Sequence, residues 1–359
     1  MTTVLSSDTE VSALTPLPGW RIGSSAPGGL ADCCLVIATY QRPEDASALT
    51  ARLAVIVDHP SEVVIVDGSP GLETERAVRD VCRDRALPFQ LVYVRSPKGL
   101  TRQRNVGIDI STKPFVFFLD DDAVPGDGYF REMRRAFEDD TIAAAGAPAA
   151  NELDKAMPRR WQLRRALRLV PRTPPFIYND AGTSAPTGLL KPFSGIRDVD
   201  LFPGYAFAVR RSVFDSMRFS GFFEGYSYGE DVEMALRIRR QWRVVSCGSA
   251  RVEHHPAPGG RPPAYDKGRM EVRNKYFIWK RYSRNANLLN RFRFHLDFGF
   301  LFLMDLMWFA AHPSKGHHIS HAIGLLAGVA GCTVAPPEWD EPQACRRFRM
   351  DESEMERAQ

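Results

Sequence analysis

Hydrophobic positions in the first third of the chain gather into four short runs separated by stretches of helical spacing. Cys33-Cys34-Leu35-Val36-Ile37-Ala38-Thr39 is one run, and Glu62-Val63-Val64-Ile65-Val66-Asp67 is a second. Phe89-Gln90-Leu91-Val92-Tyr93-Val94 and Phe115-Val116-Phe117-Phe118-Leu119 are the third and fourth. A strand with one wet face alternates polar and apolar residues, whereas runs this continuous predict strands buried on both faces. Residues 44–57, 72–86 and 100–112 lie between the runs and predict helices. Strands alternating with helices predict an α/β fold, a mostly parallel sheet covered on both sides, with ligands bound outside the carboxyl ends of the strands.

Polar residues suited to chemistry should then follow the strand ends, and they do at three of them. The first run leads into Thr39-Tyr40-Gln41-Arg42, the second into Asp67-Gly68-Ser69, and the fourth into Asp120-Asp121-Asp122. Three adjacent carboxylates repel one another unless a cation or a basic partner sits among them. Hard oxygen ligands suit Mg²⁺ or Mn²⁺, ions that keep positions open for substrate phosphates. A solvated acidic turn is the alternative.

The pattern changes after residue 150. Arg159, Arg160, Arg164, Arg165, Arg168 and Arg172 interleave with Trp161, Leu163, Leu167 and Leu169, which predicts an amphipathic basic helix or a flap. A second set of polar signals occupies residues 193–255, and the last hundred residues read as helices with a frayed acidic end. The expected divisions are an N-terminal arm or edge element at 1–30, a first half of the sheet domain at 31–150, and a basic helix with a flexible loop at 151–192. A second half follows at 193–260, then a helical C-terminal extension at 261–350 and an acidic tail at 351–359.

Composition narrows the class. With 359 residues, 44% hydrophobic and 25% charged, the chain can bury a large core. Its 47 basic and 43 acidic residues are too balanced for nucleic acid to be the main partner. Cys33, Cys34, Cys82, Cys247, Cys332 and Cys345 show no zinc-type spacing, which fits a reduced compartment. Residues 1–10 carry acids and no basic segment ahead of an apolar run, so no export signal and a cytoplasmic location are expected. The most apolar stretch, 298–311, is broken by Asp305 and is shorter than the roughly 18–20 residues of a membrane span. It reads as a buried or interfacial helix.

The motifs Val36-Ile37-Ala38-Thr39-Tyr40-Gln41-Arg42-Pro43, Val64-Ile65-Val66-Asp67-Gly68-Ser69, Gly99-Leu100-Thr101-Arg102-Gln103-Arg104-Asn105-Val106-Gly107 and Phe118-Leu119-Asp120-Asp121-Asp122 occur in that order. Together they resemble the family 2 glycosyltransferases of the GT-A fold, over residues 31–255. The resemblance implies a Rossmann-like sheet whose 31–150 half binds a nucleotide sugar (UDP-, dTDP- or GDP-linked) and whose 193–260 half binds a saccharide or lipid-linked acceptor. It places Thr39, Tyr40, Arg42 and Asp67 at the nucleoside, with Asp67 on the base. Arg104 and Asn105 would help bind the donor, with Arg102 a second candidate. Asp120 would face the sugar or ribose, Asp121, the least committed of the three, would also belong to the donor-binding set, and Asp122 would hold Mn²⁺ or Mg²⁺.

An acceptor hydroxyl needs a base. Gly229-Glu230-Asp231 opens a helix-like run containing Leu236-Arg237-Ile238-Arg239. Acids there also suit a helix N-terminus for stability alone. The resemblance assigns the base to Asp231, with Glu230 in support, and a further metal ligand to His254, with His255 adjacent. Phe202-Pro203-Gly204-Tyr205-Ala206-Phe207 resembles the acceptor-side stretch of the family. The basic helix reads as a flap over the diphosphate, a patch for anionic lipid, or a solvated helix. With the aromatics Trp279, Phe292, Phe294, Phe298, Phe300 and Trp308 it points to peripheral membrane association at the cytoplasmic face.

Other classes fit less well. Phe117-Phe118-Leu119-Asp120-Asp121-Asp122-Ala123-Val124 also matches the signature of haloacid dehalogenase-type phosphatases, in which Asp120 would be the nucleophile, but that motif belongs on a first strand. A nicotinamide enzyme wants a glycine-rich turn after strand one, and Thr39-Tyr40-Gln41-Arg42-Pro43 has no glycine. A non-catalytic sugar-nucleotide-binding module would be expected to have lost its metal or base carboxylates. The expected reaction is inverting transfer, in cell-surface polysaccharide or glycoconjugate assembly.

Overall fold

Each of the four apolar runs is a strand. The computed structural model describes residues 14–23, 29–170, 172–257, 261–285, 287–338 and 347–351. In chain order the first elements are β1 (Thr15–Ile22), β2 (Leu30–Thr39), α1 (Pro43–Leu53), β3 (Pro60–Asp67), α2 (Glu73–Asp84), β4 (Gln90–Arg95), α3 (Leu100–Ile110), β5 (Phe115–Asp120), β6 (Ala123–Pro125), α4 (Tyr129–Arg135) and β7 (Ile142–Gly146). Then come α5 (Arg159–Ala166), β8 (Ile196–Asp198), β9 (Ala206–Arg210), α6 (Glu230–Ile238), β10 (Arg243–Cys247), β11 (Val252–His254), α7 (Ala264–Tyr282), α8 (Leu288–Ala311), α9 (His317–Val334) and β12 (Phe348–Asp351).

Ten strands form one sheet in the order β12-β1-β4-β3-β2-β5-β9-β7-β10-β8. Its centre, β4-β3-β2-β5, is parallel, and β9 runs antiparallel beside β5. Successive residues of a strand point to opposite faces, so each apolar run supplies both cores. Cys34, Val36, Val64, Val66 and Phe118 pack toward α3, α6 and α7, while Cys33, Leu35, Val63, Ile65 and Phe117 pack toward α1, α2 and α4. The likeness to GT-A proteins in fold class holds: the sheet is mostly parallel, with helices on both faces and a helical C-terminal extension.

The edge strand β12 and its neighbour β1 carry no periodic signal. Pro16 and Pro18 argue against a strand at 15–22, because proline cannot donate to a ladder. Thr15 N–H donates to Arg347 O, and Thr15 to Pro18 pair with β12. The amides that the prolines lack therefore fall on the opposite side, before pairing with β4 begins at Gly19. Residues 348–351 are sheet, so the segment expected as tail from Asp351 starts within a strand, and 352–359 lie outside the described residues.

The C-terminal helices differ from expectation in extent. The stretch read as 298–311 is the end of a 24-residue helix, α8. Among the described residues it is the one helix long and apolar enough to cross a membrane by length and composition, and little of it is buried. Trp279, Phe294 and Phe298 form a separate small core with Val272 and Leu325, and Phe300 is buried as well; of the predicted aromatic set only Phe292 and Trp308 are exposed, Trp308 toward a cleft that opens outside the strand ends. α9 lies close against α7, where a Cβ on Gly324 would strike the Tyr265 carbonyl oxygen. The basic helix is shorter than expected. α5 has eight residues, and its buried Arg164 pairs with Asp297 of α8. The described cysteines Cys33, Cys34, Cys82, Cys247 and Cys332 are free thiols, and Cys345 lies outside the described residues.

Candidate active site

Strand register builds the floor of the site. Thr39 is paired with Asp67, and Ala38 with Asp120, so β2, β3 and β5 end level with one another. Gln103 of α3 ties two of these ends together, its Nε2 donating to Thr39 O and Val66 O at 2.8 Å each. Outside them opens a cleft of about 2260 Å³ that reaches from Thr39, Tyr40 and Asp120 past Asp231 to α7, α8 and α9.

The aspartate triplet divides at once. Asp121 turns inward, where it accepts hydrogen bonds from Thr39 Oγ1 (2.7 Å) and Arg42 Nη1 (2.6 Å). Burial raises its carboxyl to about 6 against the opposing pull of Arg42. Arg42 also reaches Asp122 Oδ2 at 3.3 Å, so it is the basic partner the triplet requires. Asp122 Oδ2 further accepts from the Ala257 amide at 2.9 Å, while its Oδ1 is buried without a hydrogen bond. Asp120 is partly exposed and accepts from Arg104 Nη2 at 3.1 Å.

His254 arrives opposite the triplet through a two-stranded ladder in which it pairs with Ala123. Its ring stacks on Tyr205 at 4.2 Å, its Nδ1 lies 2.8 Å from Glu152 Oε1, and its Nε2 lies 3.5 Å from Asp122 Oδ1. Burial disfavours the charged ring, but the neighbouring carboxylates of Asp122 and Glu152 outweigh it and raise its pKa to about 9. The neighbouring His255, just past the end of β11, turns its Nε2 to Glu253 Oε2 at 3.1 Å instead. Glu152 sits 102 residues from His254 in the chain, and nothing in the sequence marks it.

Arg104 lies beneath the floor, almost fully buried, and joins the two halves of the site. Its Nη1 donates to Glu230 Oε1 at 2.9 Å, and its Nη2 to Asp120 Oδ1 and to Gly204 O at 2.7 Å. Phe207 and Phe219 flank the guanidinium. Glu230 opens α6 after Gly229, and burial lifts its carboxyl to about 8. Asp231 follows it and lines the cleft; burial raises it too, against backbone amides that include that of Gly204. A Cβ on Gly204 would lie 2.8 Å from Asp231 Oδ2, so a side chain here would displace the Asp231 carboxylate.

Three of the residues expected at the donor do not line the cleft: Arg104 beneath its floor, Asn105 and Asp67. Asn105 is bonded in both directions to the Phe219 backbone, at 2.9 and 3.0 Å. Asp67 is fully buried, accepting from Ser69 and, at 2.7 Å, from Tyr93 Oη. Thr39, Tyr40, Arg42, the three aspartates, Glu230, Asp231 and His254 all line the cleft, with Lys98 over the Tyr40 ring at 4.0 Å. Among the described residues no group of three or more His, Cys, Asp or Glu side chains is arranged to hold a cation. Asp122 and His254 form a pair.

A mostly parallel sheet whose strand ends present carboxylates to an open cleft, with a histidine opposite them, is an arrangement on a GT-A scaffold. The chain belongs to glycosyl transferase family 2, whose model matches residues 34–217. Among named relatives, the succinoglycan biosynthesis protein ExoM of Rhizobium meliloti is 33% identical over 118 residues, 32% of this chain and 38% of that protein. A pre-mycofactocin glycosyltransferase of Mycobacterium tuberculosis is 26% identical over 198 residues, 54% of this chain and 35% of that one. The matches thus span little more than a third of these relatives' length. A crystal structure of GalNAc-T7 with UDP, GalNAc and Mn²⁺ shares the fold, with a TM-score of 0.50 and 16% identity over 74% of this chain and 54% of that one.

Proposed function

We propose that the cleft transfers a sugar from a nucleotide-diphosphate donor to a hydroxyl of a saccharide or lipid-linked acceptor. Asp122 and His254 are the protein ligands of a Mn²⁺ or Mg²⁺ ion, and Asp231 is the general base. The observation that carries this reading is the buried, unpartnered Oδ1 of Asp122 facing His254 Nε2. An orphan carboxylate oxygen beside an imidazole whose other nitrogen is fixed by Glu152 is a donor pair suited to a divalent ion. Such an ion, when bound, neutralises the charge of a departing diphosphate.

The chain's own residues do the rest. Arg42 holds Asp121 and Asp122 in place, and Arg104 orients Asp120 toward the donor. Glu230 is occupied by Arg104, which leaves Asp231 as the carboxylate an acceptor hydroxyl can meet. A base on the acceptor side supports one in-line displacement with inversion, for which anomeric NMR of the product is the test. The relative named for succinoglycan biosynthesis supports a role in cell-surface polysaccharide or glycoconjugate assembly.

The direct test is release of nucleoside diphosphate from a panel of UDP-, dTDP- and GDP-sugars with added Mn²⁺ or Mg²⁺. Asp122→Ala is expected to abolish the metal stimulation, and Asp231→Asn to lower transfer by about 10²–10⁴-fold. Absence of both release and donor binding across the panel would leave a non-catalytic module.

A further inference from the structure

α8 and α9 each bury one face and leave the other bare. On α8 the outward positions are Phe292, Leu296, Gly299, Leu303, Met307 and Ala310, three or four apart throughout. That spacing is a single helical face, the one that carries charges on a helix facing water. Here it carries none, and Leu303 and Met307 are 58% and 65% exposed. On α9 the corresponding face is Ile323, Leu326, Ala330 and Val334, again uncharged. Asp305, the acid that interrupts the apolar run, turns inward to His321 Nδ1 at 2.6 Å and His318 Nδ1 at 3.5 Å.

We propose that the outward faces of α8 and α9 lie in the interface of a lipid bilayer and dock the protein on it. Charge selects this occupant. Arg159, Arg160 and Arg165 of α5 have no carboxylate in ion-pair contact among the described residues, and α5 is held to the root of α8 by Arg164 on Asp297 and by Arg293 donating to Arg168 O. Arg291 at the start of α8 and Lys315 in the turn after it add cations at both ends. An apolar surface with a basic rim complements anionic headgroups above acyl chains. A second copy of the chain would set that rim against itself.

Packing decides that the helices dock rather than span. Phe294 stacks on Trp279 of α7 at 4.5 Å, and Leu325 of α9 packs into the same small core, so lipid can meet one side only. The cleft that contains Asp231 continues along the inner side of these helices, past Met304, Trp308 and Gly328. Docking brings that end of the cleft to the lipid surface.

The test is co-sedimentation of the full chain with vesicles of phosphatidylcholine alone and of phosphatidylcholine mixed with phosphatidylglycerol. Binding to the mixed vesicles, weakened by salt, is expected. Leu303→Glu with Leu326→Glu should lower it about ten-fold or more, since each change puts a charge where apolar area was buried. Donor turnover and the thermal melt should stay as in the parent, and Met307→Asp with Ile323→Asp guards against a local folding defect. Three results overturn the proposal: no pelleting with either vesicle, pelleting that both variant pairs leave intact, or light scattering that finds a dimer which the Leu303/Leu326 variant splits.

Discussion

Arg104 shows what a single side chain can hold together. Its guanidinium, 2% exposed, contacts Asp120 at the end of β5, the backbone at Gly204 just before β9, and Glu230 at the start of α6. Removing one partner of a buried ion pair typically costs about 3–5 kcal/mol because the other charge stays behind. Glu230 can instead hold a proton, so Arg104→Met is expected to cost near the lower end, measured by urea unfolding. Adding Glu230→Gln should recover part of that loss, and a double-mutant cycle reads the coupling. The resemblance had put Arg104 and Asn105 on the donor. Both residues are where the motif places them along α3, but their partners, Glu230 and Phe219, lie more than a hundred positions away, and no local pattern reveals such a distance.

At the scale of elements, period and run length were readable, and edges were not. The buried strands and the first three helices follow from apolar spacing, because a parallel sheet covered on both faces leaves no ambiguity about what must be apolar. β12 escaped since an edge strand needs partners on one side only, and β1 since its proline-bearing half, Thr15 to Pro18, pairs with β12 alone and so tolerates prolines. α8 was underestimated because Asp305 and Asp297 look like interruptions until their partners His321 and Arg164 are known. Glycines within these helices give a paired prediction. Gly324→Ala on α9 should destabilise the protein, because the new Cβ meets the Tyr265 carbonyl. Gly299→Ala on α8, with no atom within 4 Å, should stabilise it by up to about 1 kcal/mol in a thermal or urea melt.

Across the whole molecule, ionisable groups on separate elements act in one direction. Asp121 and Glu230 are raised from 3.8 and 4.5 to about 6 and about 8, and His254 from 6.5 to about 9. A group whose pKa is raised on folding stabilises fully below its unfolded value, and that stability is lost as pH climbs through the folded value. With metal chelated, the melting temperature is therefore expected to fall between pH 5 and pH 9, in steps that follow Asp121, Glu230 and His254 in turn. Asp122 and Glu271, held below the ordinary carboxylate range, act oppositely and only on the acid side. Glu230→Gln, which cannot ionise, should flatten the decline near pH 8, and an unchanged slope would discount the Glu230 contribution.

Local chemistry along the chain was enough to specify the strands of the sheet, the strand ends that carry the site, and the aspartate triplet as its centre, because backbone periodicity and the apolar demand of a two-sided sheet act over a few residues. The division of labour within the triplet was not local. Asp121 is withdrawn by Thr39 and Arg42, Asp122 keeps a free oxygen, and His254 rather than His255 faces it, held by Glu152. Each of those outcomes depends on which side chains from remote segments arrive at one point and which carboxylate oxygens they leave unpaired, and only folding in three dimensions sets that.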